Sequence, residues 1–365
     1  MKNFLLIAAF LIIPFSFPIK GFAEKNRSGE EILILAVGDI MPTARVLPFI
    51  KKHGFDYPYR ATAKLLKKGD VVIGNMEAPL TTGKAKFENK KFTFKAPLET
   101  AAALKKAGFT HLSLANNHMM DYGMEGLAST LKALHEAKIS YAGAGENIRA
   151  ARRSSSYEVK GKKIAFLSYS KTYPFEFYAT KEQGGTAPGY VSYVKRDIVR
   201  ARKASDIVIV AFHWGAEKME TPKDYQRELA HISIDSGADI VLGHHPHVLQ
   251  GIEYYGRGVI FYSLGNFAFG SYSKSATESI IARITMSKDG LSKVEALPIN
   301  VNNYDVYFQP KLLADQKGER IIERLSRLSE PLGSRLIFAG RVGMVSKIEK
   351  LTMKEVNASE SLSGN

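Results

Sequence analysis

Ile32-Leu33-Ile34-Leu35-Ala36-Val37-Gly38-Asp39 is an apolar run that stops at a glycine and then an acid. An unbroken apolar stretch of this length predicts a strand covered on both faces. Ile207-Val208-Ile209-Val210-Ala211-Phe212 has the same character and stops at His213. Shorter apolar runs at 71–74, 109–114 and 240–242 also lead into polar residues. Helical spacing is predicted at 59–68, 98–107, 123–137, 193–203 and 222–236, with Leu127, Leu131 and Leu134 on one stripe of the third. This alternation predicts an α/β fold: a two-layered mixed β-sheet core flanked by helices.

Working outward, further strands are predicted at 139–141, 248–255, 258–263 and 279–287. A hairpin is predicted over 153–159 and 163–169, turning at Lys160-Gly161-Lys162. Residues 81–97 read as a polar, lysine-rich loop or hairpin, and 174–190 as an irregular aromatic loop beside the site. The main domain is expected at 30–300. An extension at 301–353, with a strand or two and a helix near 319–328, packs on it. A disordered tail follows at 354–365.

The 365 residues contain no cysteine. Disulfides, thiolate metal ligands, iron–sulfur clusters, a thiol nucleophile and a cysteine-borne lipid anchor are therefore excluded. Hydrophobic residues are 45% and charged residues 24%, as in folded globular chains. The net charge of +15 suits an anionic partner, and it also suits a plain, well-solvated basic surface. At the N-terminus, Lys2 precedes an uncharged stretch at 4–18, then Lys20 and Gly21-Phe22-Ala23. That pattern predicts an export signal cut after Ala23 or, if retained, a membrane anchor; the run is short against the roughly 20 residues of a span. Residues 1–23 are thus expected to place the rest outside the cytoplasmic membrane, in the cell envelope. Nucleic acid is not an expected partner there.

The polar groups at the strand ends are Asp39, Asn75 with Glu77, Asn116 to His118 with Asp121, His213, and His244, His245 and His247. Strand ends carry the sites of α/β sheets. Carboxylate plus imidazole is the donor set of a divalent zinc, iron or manganese centre, with one or two ions. Each group alone has a plainer role: Asp39 as a helix cap, Asn117 as a turn residue, His213 as a hydrogen-bonded core histidine. Four of the 9 histidines (His118, His213, His245 and His247) nevertheless fall at strand ends.

The segments Ala36-Val-Gly-Asp-Ile-Met41, Gly69-Asp-Val-Val-Ile-Gly-Asn-Met-Glu77 and Leu114-Ala-Asn-Asn-His-Met-Met-Asp-Tyr-Gly123 resemble the bacterial CapA family of capsule and poly-gamma-glutamate synthesis proteins. So do Phe212-His-Trp-Gly215, Gly243-His-His-Pro-His-Val248 and Tyr262-Ser-Leu-Gly-Asn-Phe267. That family is similar in fold to the calcineurin-like metallophosphoesterases. The resemblance implies metal ligation by Asp39, Asn117, His213, His245 and His247. Glu77 would stand in the bridging place, with Asn75 as its rival. His118 would sit near the leaving group, oriented by Asp121. In the phosphoesterase pattern a histidine follows the first aspartate by two residues; here Met41 stands there, a poor ligand for a hard ion.

If the pocket turns over a substrate, the chemistry is metal-dependent hydrolysis, with His118 as proton donor. Ser113 and Ser263 lack a nucleophile setting, and no phosphate-cradling Walker loop is present, so a polymer synthetase would be a separate, membrane-bound partner. Lys84, Lys86, Lys90, Lys91 and Lys95 crowd one loop shortly after Glu77. They form either a solvated basic loop or a binding site for an anionic surface polymer such as poly-gamma-glutamate. A secreted metallophosphoesterase and a non-catalytic polymer-binding scaffold are the alternative readings.

Overall fold

The computed structural model of the protein describes residues 31–348, so the export segment at 1–23 and the tail at 354–365 lie outside the described residues. The first strand, Ile32–Met41, is buried along its whole length. Ile32, Ile34 and Ala36 pack into one apolar layer, and Leu33, Leu35 and Val37 into another, because successive side chains on a strand alternate. Both faces are covered, which is why no polar residue interrupts the run.

Two sheets lie face to face. One has ten strands, with the main path Ser334–Ala339, Val342–Lys347, Gly290–Asn300, Glu278–Ser287, Ile32–Met41, Val71–Met76, His111–Ser113 and Ser140–Ala142. The other has six, in the order Ile252–Tyr255, Gly258–Phe261, Ile240–His244, Ile207–His213, Lys162–Ser170 and Ser155–Val159. Ile34, Ile73, Phe166, Ile209, Leu242 and Phe261 fill the space between them. Helices Thr100–Ala107 and Gly123–Glu136 bring Leu104, Leu127 and Leu134 against the outer face of the larger sheet. Val191–Ala204 and Asp224–Asp235 bring Val194, Ile198, Leu229 and Ile234 against the outer face of the smaller one. The expected architecture, a two-layered mixed sheet core flanked by helices, is the one found.

Three details differ from the sequence reading. The first strand does not stop at Gly38 but continues through Asp39 to Met41. Its register against Val71–Met76 shifts between Ala36 and Asp39, because the unpredicted strand Asn266–Phe269 pairs with it there and the Asp39 N–H donates to the Gly265 carbonyl at 3.0 Å. The strand expected at 248–255 begins only at Ile252, since Ser263 Oγ and the Tyr262 N–H bond the carbonyls of Val248 and Gly251. Beyond residue 300 the chain continues the larger sheet: Ser334–Ala339 and Val342–Lys347 form a hairpin, and Met344 pairs with Glu295. Between them and the core, helix Gln316–Ser329 inserts Ile321, Ile322 and Leu325. Among the described residues no helix is long and apolar enough to cross a membrane.

Candidate metal centre

The parallel strands bring their polar ends to one place. Asp39 lies in register between Asn75 on one neighbouring strand and Asn266 on the other. In the second sheet His213 pairs with His244. The chain then turns through Pro246 with His245 and His247 both at positive φ, 95° and 60°. This left-handed backbone is unusual outside glycine, and it folds both imidazoles back toward the first sheet.

The contacts define the centre. The His247 Nδ1 lies 3.1 Å from Asp39 Oδ2, and its Nε2 is 3.7 Å from Glu77 Oε1. The His213 Nε2 is 3.5 Å from the same Glu77 oxygen and 2.9 Å from Asn117 Oδ1. The His245 ring lies against the His213 ring, with centroids 4.7 Å apart. Two sets of donors fall within 4.8 Å of one another: Glu77, His213 and His245, and Asp39, Glu77 and His247. Glu77 belongs to both.

Burial makes this cluster expensive without a cation. Asp39, Glu77 and His213 are fully buried. Burial and then the Asp39 charge push the Glu77 carboxyl well above the usual carboxylate range. Burial opposes ionisation of Asp39 as well, but His244 and His247 hold its carboxyl well below that range. Burial, then neighbouring imidazoles, keeps His213 and His245 neutral, His245 down to about 3. Burial also disfavours charge on His247, yet Glu77 and Asp39 outweigh it and raise its pKa to about 9. Glu77 Oε1 and His245 Nδ1 are buried with no hydrogen-bond partner. A buried orphan carboxylate oxygen and a buried orphan imidazole nitrogen are the atoms a divalent ion satisfies, so the residues present fit such an ion.

Asn75 takes a different part from Glu77. Its amide nitrogen donates to Asp39 Oδ1 at 2.9 Å and lies 3.4 Å from Glu77 Oε2, while its oxygen accepts from Asn116 Nδ2 at 3.1 Å. Asn75 therefore braces the two acids, and Glu77 is the one that presents an open oxygen. Asp121 is fully buried and does not line the cavity beside the centre. It accepts from His118 Nδ1 at 2.7 Å, from Lys90 Nζ at 2.6 Å and from the Phe94 N–H at 2.7 Å. Its part is to fix His118, leaving Nε2 as that ring's free nitrogen. Burial lowers the pKa of His118, against the pull of Asp121.

A cavity of about 700 Å³ borders the centre, with Met41, Asn117, His118, His247 and Asn266 in its wall. The five loop lysines separate here. Lys90 turns inward to Asp121, His118 and the Asn117 carbonyl, and burial lowers its pKa. Lys91 lines the cavity. Lys95 bonds the Gly83 carbonyl at 2.6 Å and so closes its own loop. Lys84 and Lys86 are exposed and lie outside the cavity wall. The loop is irregular, tied at its base by a Leu80–Ala96 bridge. Met41 is buried among Phe267, Ala268 and Phe269.

Two polar residues of the site have no role in the sequence reading, which names His244 at a strand end and Asn266 only within a motif. His244 is fully buried, with Nδ1 3.2 Å from Asp39 Oδ1; its place in the His-His-Pro-His string was the available signal. Asn266 holds His247 Nδ1 through its Oδ1 at 3.0 Å. Its signal was the Leu-Gly-Asn-Phe string, which carries no chemistry when read alone.

Residues 33–271 match the family described as bacterial capsule synthesis protein PGA_cap. The capsule biosynthesis protein CapA of Bacillus anthracis is 37% identical over 284 residues, covering 76% of this chain and 69% of that protein. The PGA biosynthesis protein CapA of Bacillus subtilis (strain 168) is 35% identical over 305 residues, covering 82% of this chain and 80% of that protein. A solved structure of an NAD nucleotidase from Haemophilus influenzae aligns with 91% of this chain and 67% of that one, at 13% identity and a TM-score of 0.46. The family match runs from the first strand through Asn266 and takes in every donor of the centre, and the chain belongs to the bacterial capsule synthesis protein family.

Proposed function

We propose that this chain is a metal-dependent component of capsule or poly-gamma-glutamate production that acts outside the cytoplasm on an anionic polymer. The observation that carries this reading is the pair of donor triads sharing Glu77, one of which reaches the wall of a lysine-rimmed cavity through His247. Asp39, Glu77 and His247 would hold one ion; Glu77, Asn117, His213 and His245 would hold a second. Imidazole and carboxylate donors suit zinc, manganese or iron. When bound, the metal supplies Lewis acidity and acidified water. His118, with Nδ1 fixed by Asp121, offers Nε2 for proton transfer to a leaving group. Lys91, Lys218 and Lys274 at the rim attract the polymer's charges, and Lys90 holds the loop over the site. The synthetase subunits would be separate, membrane-bound partners.

The test is incubation of the manganese- or zinc-loaded protein with poly-gamma-glutamate, following chain length by size-exclusion chromatography. Metal-dependent shortening that falls about 100-fold or more in His118→Ala is the expected result. Unchanged polymer, with release of nitrophenol from a model phosphodiester, would instead identify a metallophosphoesterase. Binding of polymer without turnover of either substrate would identify a scaffold.

The Asp39 position lacks the imidazole that Met41 replaces. Met41→His should therefore raise the metal bound per chain, read by mass spectrometry of metal content after dialysis. Unchanged content in a variant that melts like the parent would show that Met41 does not limit this position.

A further inference from the structure

A second cavity, of about 580 Å³, reaches His245 and shares no wall residue with the cavity beside His118. The donors of the centre are thus approached from two hollows. Lys171, Tyr173, Tyr178, Tyr190, Lys223 and Tyr225 line this second one, and it has no acid in its wall. Two of the tyrosines are fixed by their hydroxyls. Tyr178 donates to the Thr172 carbonyl at 2.9 Å, and Tyr225 accepts from the Gly215 N–H at 2.7 Å. Tyr173 and Tyr190 are open, 74% and 46% exposed. The Lys171 ammonium sits 5.7 Å from the centre of the Tyr190 ring.

The hollow does not end there. A further depression shares Phe175, Tyr178 and Tyr190 with it and adds Lys181, Glu182 and Tyr193. Tyr193 lies in the first turn of helix Val191–Ala204, whose exposed face carries Lys195, Arg196, Arg200 and Lys203. That helix is roughly 20 Å long. A small anion needs one cationic pocket. A run of flat aromatic faces followed by spaced cations fits a long chain instead. Amide planes lie on tyrosine rings at little entropic cost, and carboxylates meet the ammonium and guanidinium groups.

We infer that the His245-side cavity and the track leading from it form a second subsite for an amide-linked, carboxylate-bearing polymer. The metal centre then faces the interior of the chain rather than its end. This rests on the polymer reading given under Proposed function.

The test measures binding of fluorescein-labelled poly-gamma-glutamate to the metal-loaded protein by anisotropy, with one long chain and one short oligomer. Tyr190→Ala combined with Lys223→Gln should weaken the long chain roughly tenfold and leave the oligomer, which the His118 side can hold alone, within about twofold. Tyr190→Phe, which keeps the ring, should bind both as the parent does. Equal affinity of the double variant and the parent for the long chain overturns the subsite and leaves the polymer reading standing. If the parent protein binds neither probe, both fall. Tighter binding of an oligothymidylate of matched charge would overturn the polyamide assignment, since basic grooves with aromatic platforms also hold single strands.

Discussion

Glu77→Gln is expected to lose both metal positions at once. Glu77 is the residue common to the two donor triads, so no other single change touches each set directly. Changes to groups that only support a metal ligand cost about 10–100-fold in affinity; loss of a shared ligand should exceed that, read as metal content after dialysis against a weak chelator. The same substitution relieves a repulsion. Burial and Asp39 raise the Glu77 pKa well above its ordinary value. The metal-free folded state therefore binds a proton that the unfolded state releases, and its stability falls as pH climbs above the ordinary carboxylate range. Glutamine mimics the protonated acid and removes that slope. In EDTA at neutral pH the variant should melt close to the parent, relief of the Asp39 repulsion being offset by loss of the attraction to His247. On adding metal to about 100 times its Kd, the parent should gain about 2.7 kcal/mol for each position filled, or roughly 4 °C each, and the variant should gain nothing. Equal metal-induced shifts in the two proteins would remove Glu77 from the centre.

The fold was legible because its strands are covered on both faces. Burial left Ile32 to Val37 and Ile207 to Phe212 without a polar residue, and the first polar residues after such runs mark the strand ends. What stayed hidden depends on contacts between distant segments. Nothing local says that Lys90 turns inward while Lys84 and Lys86 stay exposed; that follows from Asp121, placed 31 residues later. Asn75 and Glu77 looked interchangeable because both offer oxygen. Their parts separate only once Asn116 claims the oxygen of the amide. Asn266–Phe269 is a strand of 4 residues, too short for periodicity to register. The hairpin beyond residue 333 was obscured by its edge position, where Leu336 is buried but Ile337 is 57% exposed.

Gly38→Ala and Gly243→Ala should each cost the protein much of its stability, and each should damage a different half of the centre. A Cβ on Gly38 would lie 1.9 Å from the Gly265 carbonyl oxygen and 3.2 Å from the carbonyl carbon of Asn266. One on Gly243 would lie 1.9 Å from the Tyr262 carbonyl oxygen and 2.8 Å from Trp214 Nε1. Real side chains never sit that close, and the obstacle in both cases is backbone, which cannot swing aside as a lysine can. Overpacking a core costs about 1–3 kcal/mol; with backbone as the obstacle the upper end applies, a fall in Tm of roughly 4 °C. Relief at Gly38 must push Asn266–Phe269 away from the first strand. That moves Asn266 off His247 and strains the Asp39 N–H bond to Gly265, so the Asp39 position should weaken first. Relief at Gly243 must part the Ile240–His244 and Gly258–Phe261 strands near their ends, disturbing His245 and its contact with His213. Calorimetric metal titration at a temperature where both variants remain folded separates the two outcomes. Losses of the same size at the same position in both would show that the centre responds to general loosening and not to the strand each glycine admits. Melting indistinguishable from the parent in either variant would mean that the close approach of backbones at that glycine is absent from the folded protein.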